Sequence, residues 1–168
     1  MINQHQVIVE EIKVGISEWK ASTAPHRLIT LGLGSCVGIV LFDSFNRVGG
    51  LSHIMLPNSK QFKNNGKKGK FPDTAIPLLV EDMVKLGARR SAIKAKIAGG
   101  AKMFSSVGTS FTNNIGERNV EQTCKVLSDM GIPLLAADVG GNKGRTIIFD
   151  TQEGIVWIRT LGNHTYEL

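Results

Sequence analysis

The amino-acid sequence predicts an α+β fold in which short strands outnumber helices. Runs of about four to eight residues rich in valine, isoleucine and threonine recur along the chain, a pattern typical of strands. Two longer stretches, 73–86 and 114–130, instead carry apolar residues at helical spacing. With 168 residues, the chain can bury one hydrophobic core and is short for two. We therefore expect a single domain over residues 1–168, built mainly from antiparallel or mixed β-sheet with flanking helices.

The first third of the chain is predicted to form strands separated by turns. Residues 22–27 contain Pro25 and are expected to form a loop, and residues 43–47 carry a turn signal. Around these turns, β-branched residues predict four strands, at residues 6–12, 28–33, 37–42 and 48–55. The second and third strands flank a glycine-rich turn, and the last two are expected to pair as a hairpin.

A lysine-rich segment, 58–70, follows these strands. It is polar and contains two glycines, with lysines at positions 60, 63, 67, 68 and 70. This composition predicts an exposed, mobile loop. Such a loop could cover a site or touch an acidic partner, and a solvated loop with neither role explains the composition equally well.

Two helices are predicted in the second half of the chain. The first begins at Asp73, tolerates Pro77 in its first turn and ends before Gly87. The second has Asn114 at its N-cap, and Glu117 three residues later completes a capping box. The predicted apolar face of the second helix comprises Val120, Cys124, Leu127 and Met130. This cysteine is therefore expected to be a core residue.

The remaining segments are predicted to be strands. Apolar runs place them at residues 94–98, 134–139, 145–149 and 155–161. The last two are separated by the turn 150–154 and are expected to form a hairpin.

The composition is that of a globular protein, with 42% hydrophobic and 20% charged residues. No apolar run is long enough for a transmembrane helix, and the N-terminal residues lack the pattern of a signal peptide. Two cysteines without an export signal favour a reducing compartment over a disulfide scaffold. We therefore expect a cytoplasmic protein that does not insert into a membrane.

The formal net charge of +6 favours an anionic partner, although charge that only solvates the surface would also explain it. Nucleic acid is not the predicted partner, because the sequence has no recognised motif, no basic helix stripe and little aromatic interleaving. An acidic protein fits better, since opposite charge raises the rate of encounter. The four histidines and two cysteines show no ligand spacing, so no metal site is predicted.

The glycine-rich turn within residues 30–38 delivers a single cysteine, Cys36, between two predicted strands. Glycines beside a reactive side chain allow a substrate to approach the backbone and leave N–H groups free for an oxyanion. The alternative is a tight turn with an inert buried cysteine, which is common for this residue type.

His53 follows Cys36 by 17 residues, near the end of the predicted strand 48–55. If the two strands pair as a hairpin, the cysteine and the histidine meet at the same end of the sheet. That juxtaposition is what a thiolate–imidazole pair requires, because the histidine takes the thiol proton. The alternative is a half-buried strand histidine whose ring is satisfied by other groups.

Five segments resemble the CheD family, the chemoreceptor glutamine deamidases of bacteria and archaea. They keep the family's order and span about Val7 to Leu161. The segments are Thr-Leu-Gly-Leu-Gly-Ser-Cys-Val at 30–37, Ser-His-Ile-Met-Leu-Pro at 52–57, Gly-Gly-Ala-Lys-Met-Phe at 99–104, Ile-Gly-Glu-Arg-Asn at 115–119 and Asp-Val-Gly-Gly-Asn-Lys-Gly-Arg at 138–145.

The resemblance implies a layered sandwich of sheet and helices with the chemistry of a cysteine hydrolase. It implies that Cys36 is the nucleophile, His53 the general base and Thr30 the residue that orients the histidine. Gly34 and Ser35 would form the turn that meets the substrate and its oxyanion. The implied partners are methyl-accepting chemoreceptors as substrate and the CheC phosphatase, and no metal or organic cofactor is needed. A non-catalytic adaptor and an amine-transferring cysteine enzyme stay open as alternatives.

Overall fold

The computed structural model describes residues 7–63, 66–103 and 114–168 of the chain. Ten strands are present in this part: β1 (Glu11–Lys13), β2 (Trp19–Thr23), β3 (Arg27–Leu33), β4 (Val37–Asp43), β5 (Val48–Ile54), β6 (Lys94–Gly99), β7 (Leu134–Val139), β8 (Arg145–Asp150), β9 (Ile155–Thr160) and β10 (His164–Glu167). The two α-helices are α1 (Pro72–Lys85) and α2 (Ile115–Asp129). Within the described ranges, neither helix is long and apolar enough to cross a membrane.

The strands form two five-stranded sheets. The first has the order β1-β3-β8-β9-β10, and the second has the order β2-β5-β4-β6-β7. Most pairs are antiparallel, whereas β1 with β3 and β6 with β7 are parallel, so both sheets are mixed. The predicted α+β sandwich of mixed sheet with flanking helices is confirmed. Both helices, however, cover the same face of the second sheet.

Alternation along β4 explains how the layers are held together. Val37, Ile39 and Leu41 are buried against the helices, where they join a core with α1 residues. Val40 belongs instead to the core between the two sheets. Gly38 shares that inner face, and a Cβ atom there would lie 2.4 Å from Cδ1 of Ile147 in the first sheet. The near-continuous apolar run of β4 therefore reflects burial on both faces.

The turn from Gly34 to Cys36 crosses from one sheet to the other. It connects β3, in the first sheet, to β4, in the second. The pairing of β3 with β8 shifts register between Thr30 and Leu33, and Gly32 has a φ of +69° there. This bulge ends the regular pairing just before the chain changes sheet. The predicted cysteine turn thus lies at the junction of both sheets.

Three strands differ from the sequence prediction. The first strand is limited to Glu11–Lys13, whereas residues 7–10 are exposed and residue 6 lies outside the described part. β2 and β10 were not predicted at all. Both lie at sheet edges and carry mixed polar residues, and they acquire strand conformation by pairing with β5 and β9. Their own patterns are too weak to indicate strands.

The lysine-rich segment is attached to the fold at both ends. The Asp73 carboxylate accepts a hydrogen bond from the Ser59 N–H at 3.0 Å and another from its hydroxyl group. The Lys70 carbonyl accepts from the N–H groups of Met55 and Leu56. The predicted exposure is therefore wrong for Ser59, which is buried, and holds for the lysines at 60, 63, 67 and 68. Residues 64 and 65 lie outside the described part.

Helix α2 starts after the N-cap Asn114 and ends near Gly131, as predicted, but its capping and its buried face differ. Asn114 occupies the N-cap position without a side-chain cap hydrogen bond, so the predicted capping box is wrong. The most deeply buried positions are Gly116, Asn119, Thr123 and Leu127. Of the predicted apolar face, Val120, Cys124 and Met130 lie at the edge of the core and are only partly buried. Small and polar residues, which an apolar pattern overlooks, face the sheet most closely.

Candidate active site

The β4–β5 hairpin brings the candidate cysteine and histidine to one end of the second sheet. In its antiparallel register Val37 faces Ile54, and Gly38 faces His53. Cys36 lies two residues before Gly38 and packs against the core between the sheets. This position is diagonal to His53, a relation in which Cα atoms are about 7–8 Å apart and side chains can meet. The predicted hairpin is confirmed.

A hydrogen bond from the opposite sheet holds the histidine ring. Thr30 Oγ1, on β3, lies 2.7 Å from Nδ1 of His53, and both residues are buried. The same hydroxyl donates to the Val14 carbonyl at 2.7 Å. Because a hydroxyl has one proton and a carbonyl can only accept, Thr30 must accept a hydrogen bond from Nδ1–H. His53 is therefore the tautomer whose Nε2 carries the lone pair.

This Nε2 atom is available for proton transfer. It is buried and has no hydrogen-bond partner among the described residues. A buried ring nitrogen without a partner is costly for stability and needs an explanation. The Cys36 sulfur is likewise not hydrogen-bonded to it, and the free lone pair makes His53 a candidate to accept a proton.

The predicted turn residues contribute their carbonyl groups to the packing of the site. The Gly34 carbonyl accepts from the Ala101 N–H, and the Cys36 carbonyl accepts from the Gly100 N–H, both at 2.8 Å. The Ser35 carbonyl accepts from the side chain of Asn119 at 2.9 Å. All three carbonyls of the turn are thus held by hydrogen bonds. Asn119 was not among the predicted site residues, although it lies within the segment 115–119 that resembles the family.

A pocket of about 660 Å³ opens beside this turn. Ser35 lines it together with the backbone of residues 100–101, the start of α2 and Gly140. Glu117 and Glu121 supply its acidic groups, and Lys102 supplies a basic one. Its lining residues include neither Cys36 nor His53, so the pocket adjoins the turn at Ser35 and not the candidate pair itself. A pocket of this size can admit a side chain from another protein.

Comparison with known proteins identifies the family. The model of the CheD family, described as CheD chemotactic sensory transduction, matches residues 55–160. This chain belongs to the CheD family. It is 54% identical to the "Probable chemoreceptor glutamine deamidase CheD" of Desulforamulus reducens over 153 residues, which cover 91% of this chain and 92% of that protein.

Proteins of the same name from two clostridia show the same similarity to this CheD family member. The Clostridium kluyveri protein is 53% identical over 154 residues, covering 92% of this chain and 95% of its own length. A Clostridium botulinum protein is 52% identical over 160 residues, which cover 95% of this chain and 99% of that protein. Among solved structures, the Bacillus licheniformis hypothetical protein YfiH has a TM-score of 0.45 and 11% identity, covering 74% of this chain and 49% of that one.

Burial determines the charge state of the cysteine and histidine in this CheD family member. It raises the pKa of the Cys36 thiol, and the residue's own backbone N–H partly offsets this by stabilising the thiolate. Burial also lowers the pKa of His53 to about 4. At neutral pH both side chains are therefore uncharged at rest. Two uncharged side chains argue against a preformed thiolate–imidazolium ion pair.

The depressed pKa of His53 predicts a loss of stability in mild acid. The unfolded chain binds a proton near pH 6.5, whereas the folded protein resists it until about pH 4. Stability should therefore fall as the pH drops from about 6.5 to about 4, by about 3 kcal/mol in total, and be unaffected by this group above that window. Urea unfolding at several pH values measures this slope.

His53→Gln is the control for this measurement, because glutamine does not titrate. In that variant the slope between pH 6.5 and 4 should be largely lost. Asp43 and Asp150 also have lowered pKa values, owing to hydrogen bonds that offset their burial. These two groups change stability at lower pH, and they do so equally in the wild type and in the His53→Gln variant. Equal slopes in the wild type and the variant would contradict the prediction.

Gly99 makes the close approach to the cysteine turn possible. Its φ is +116°, and a Cβ atom there would lie 2.2 Å from the Cys36 carbonyl oxygen. We expect Gly99→Ala to lower the free energy of unfolding by about 3 kcal/mol or more, because a backbone atom cannot move aside. Gly87→Ala is the matched control, since Gly87 has a φ of +103° and nothing within 4 Å. It should cost about 1 kcal/mol. Denaturant unfolding measures both variants. Similar losses of unfolding free energy in the two would show that backbone strain, and not the clash with the Cys36 carbonyl, causes most of the destabilisation.

Proposed function

We propose that this chain, as one catalytic domain over residues 1–168, is a protein-glutamine glutaminase acting on methyl-accepting chemoreceptors in the cytoplasm. The reaction converts a glutamine side-chain amide to glutamate and releases ammonia. The observation that carries the proposal is the hydrogen-bonded series from Val14 through Thr30 to His53, which leaves Nε2 basic on the face shared with Cys36. The names of the relatives in three organisms support the same substrate.

The first half of the reaction forms a thioester. Nε2 of His53 takes the proton from Cys36 as the sulfur bonds to the carboxamide carbon. The carbonyl oxygen becomes an oxyanion, which backbone N–H groups of the 34–36 turn would stabilise, that of Cys36 among them. The bond from carbon to nitrogen then breaks, and protonated His53 donates its proton to the departing ammonia.

The second half releases the product. His53, again neutral, takes a proton from a water molecule as its oxygen bonds to the thioester carbon. The bond from carbon to sulfur breaks, and the thiol regains its proton from His53. Thr30 keeps Nδ1 protonated throughout, so that Nε2 is the nitrogen that exchanges protons. A glutamate methyl ester would follow the same path, since it forms the same thioester.

An adaptor role is the second candidate. The net charge of +6 suits a partner rich in glutamate, and the family resemblance implies docking to the CheC phosphatase. Docking and deamidation are compatible, because binding does not require the thiol. An adaptor without activity predicts receptor binding with no chemical change in the receptor.

Mass spectrometry of a purified receptor cytoplasmic fragment tests the proposal. After incubation with the wild-type protein, defined glutamines should become glutamates, whereas a sample without the protein should show none. A labelled amine added in parallel distinguishes hydrolysis from amine transfer, because a transferring enzyme would attach the label. Binding without any conversion, with or without CheC, would contradict the deamidase and favour the adaptor.

A further inference from the structure

Asn119 is a fully buried polar side chain in the second turn of α2, with an exposed fraction of 0%. Its Nδ2 atom donates two hydrogen bonds, to the Ser35 carbonyl at 2.9 Å and to the Met55 carbonyl at 3.0 Å. Both acceptors are carbonyl oxygens, so only the NH2 side of the amide can face them. The orientation of this side chain is therefore determined by its partners.

These two carbonyls belong to the two segments that carry the candidate catalytic pair. Ser35 directly precedes Cys36, and Met55 follows His53 by two residues. One side chain thus ties the turn before β4 to the end of β5. The contact uses both protons of the amide, and Oδ1 has no hydrogen-bond partner among the described residues.

Close packing of α2 brings Asn119 to this position. A Cβ atom at Gly116 would lie 2.7 Å from the carbonyl oxygens of Gly100 and Ala101. The missing side chain allows the first turn of the helix to rest on this backbone. The Gly100 N–H in turn donates to the Cys36 carbonyl. Asn119 is one turn further along the same face, which places its amide at the cysteine turn.

The Ser35 hydrogen bond has a consequence for the next residue. A trans peptide unit is planar, and its C=O and N–H groups point in opposite directions. Holding the Ser35 carbonyl against Asn119 therefore turns the Cys36 N–H away from α2. This N–H belongs to the same residue as the attacking sulfur, so it is a donor close to the place where an oxyanion would form on a carboxamide.

We propose that Asn119 is a positioning residue that orients the Ser35–Cys36 peptide unit, so that the Cys36 N–H stabilises the oxyanion during deamidation. This inference rests on the proposed function. Asn119 acts through the Ser35 carbonyl and does not itself contact the reacting atoms. The Met55 hydrogen bond keeps the amide from rotating, and thereby keeps the peptide unit in one orientation.

Asn119→Leu tests the proposal, with Thr123→Val as the matched control. Thr123 is fully buried one turn later on α2, and its hydroxyl has no hydrogen-bond partner among the described residues. Both changes replace a buried polar group by an apolar one of similar size. The leucine variant should lower kcat for receptor deamidation about 100-fold, the effect of losing one oxyanion donor, with KM within twofold of wild type. The Thr123→Val control should have the kcat and KM of the wild-type protein.

Alkylation of Cys36 by iodoacetamide, followed at this residue by peptide mass spectrometry, provides the second readout. Alkylation uses the thiol and His53 but forms no oxyanion. Its rate should therefore stay within threefold of wild type, and the pH dependence of the rate should be unchanged. A merely structural role would lower alkylation and deamidation together. Asn119→Ala serves if the leucine variant does not fold. A water molecule can then occupy the space and donate to both carbonyls, so kcat should fall about 10-fold.

Two results would overturn the inference. One is a folded Asn119 variant whose kcat stays within threefold of the Thr123→Val protein, and the other is a parallel loss of alkylation and deamidation. The wild-type sample separates these from failure of the proposed function. If wild type does not deamidate the receptor fragment, the proposed function fails and this inference fails with it.

Discussion

Replacing Cys36 by alanine is expected to abolish receptor deamidation while leaving receptor binding unchanged. The change removes the sulfur that would form the thioester, and loss of a nucleophile lowers kcat by about 10⁴-fold or more. Binding should persist because Cys36 is a small side chain in a turn whose backbone is held by other residues. Mass spectrometry of the receptor fragment measures conversion, and calorimetric titration with the same fragment measures binding.

Cys124→Ala is the matched control for this experiment. Cys124 lies on α2, partly buried at the edge of the core between the helices and the second sheet, whereas Cys36 packs against the core between the two sheets. Its loss should reduce stability slightly and leave kcat near the wild-type value. Retained amide hydrolysis in Cys36→Ala, or inactivity of Cys124→Ala in a folded protein, would contradict the assignment of the nucleophile.

Replacing His53 by glutamine is expected to lower kcat by about 10³-fold, with little effect on receptor binding. Glutamine can still hydrogen-bond to Thr30, but it has no basic nitrogen to accept the Cys36 proton or return it to ammonia. The size follows from the usual contribution of general acid–base catalysis, which the proposed mechanism uses in both halves of the reaction. Steady-state kinetics on the receptor fragment, from about pH 5 to pH 9, measures this loss.

Thr30→Val provides a graded comparison. It removes the hydroxyl that accepts from Nδ1–H and donates to the Val14 carbonyl, yet it keeps the size of the side chain. The histidine keeps its basicity but loses its fixed tautomer, so kcat should fall by only about 10-fold. If His53→Gln retained more than a tenth of wild-type kcat, or Thr30→Val were the more damaging change, His53 would not be the general base.

The hairpin and the helices could be predicted because their patterns are local. The apolar runs on either side of the turn 43–47 indicated β4 and β5, and antiparallel pairing then placed positions 36 and 53 at one end. Gly87 and Gly131 marked the ends of both helices for a backbone reason, since each has a positive φ. The edge strands β2 and β10 escaped prediction because their conformation depends on pairing with a neighbour.

The sequence by itself determined the types of chemical group at the candidate site and their order along the chain. Cys36 and His53 stand out because a glycine-rich turn and a strand histidine occur at a spacing that a hairpin brings together. The resemblance to the CheD family added Thr30. These conclusions need only local pattern and motif, which are properties of consecutive residues.

Only the tertiary structure determined the protonation states and orientations of these groups. The tautomer of His53 depends on a Val14 carbonyl 16 residues before Thr30, and its low pKa depends on complete burial between two sheets. Asn119 meets Ser35 across 84 residues of sequence. Burial and hydrogen bonding between distant segments change both pKa and orientation, and neither is encoded in the residues next to the site.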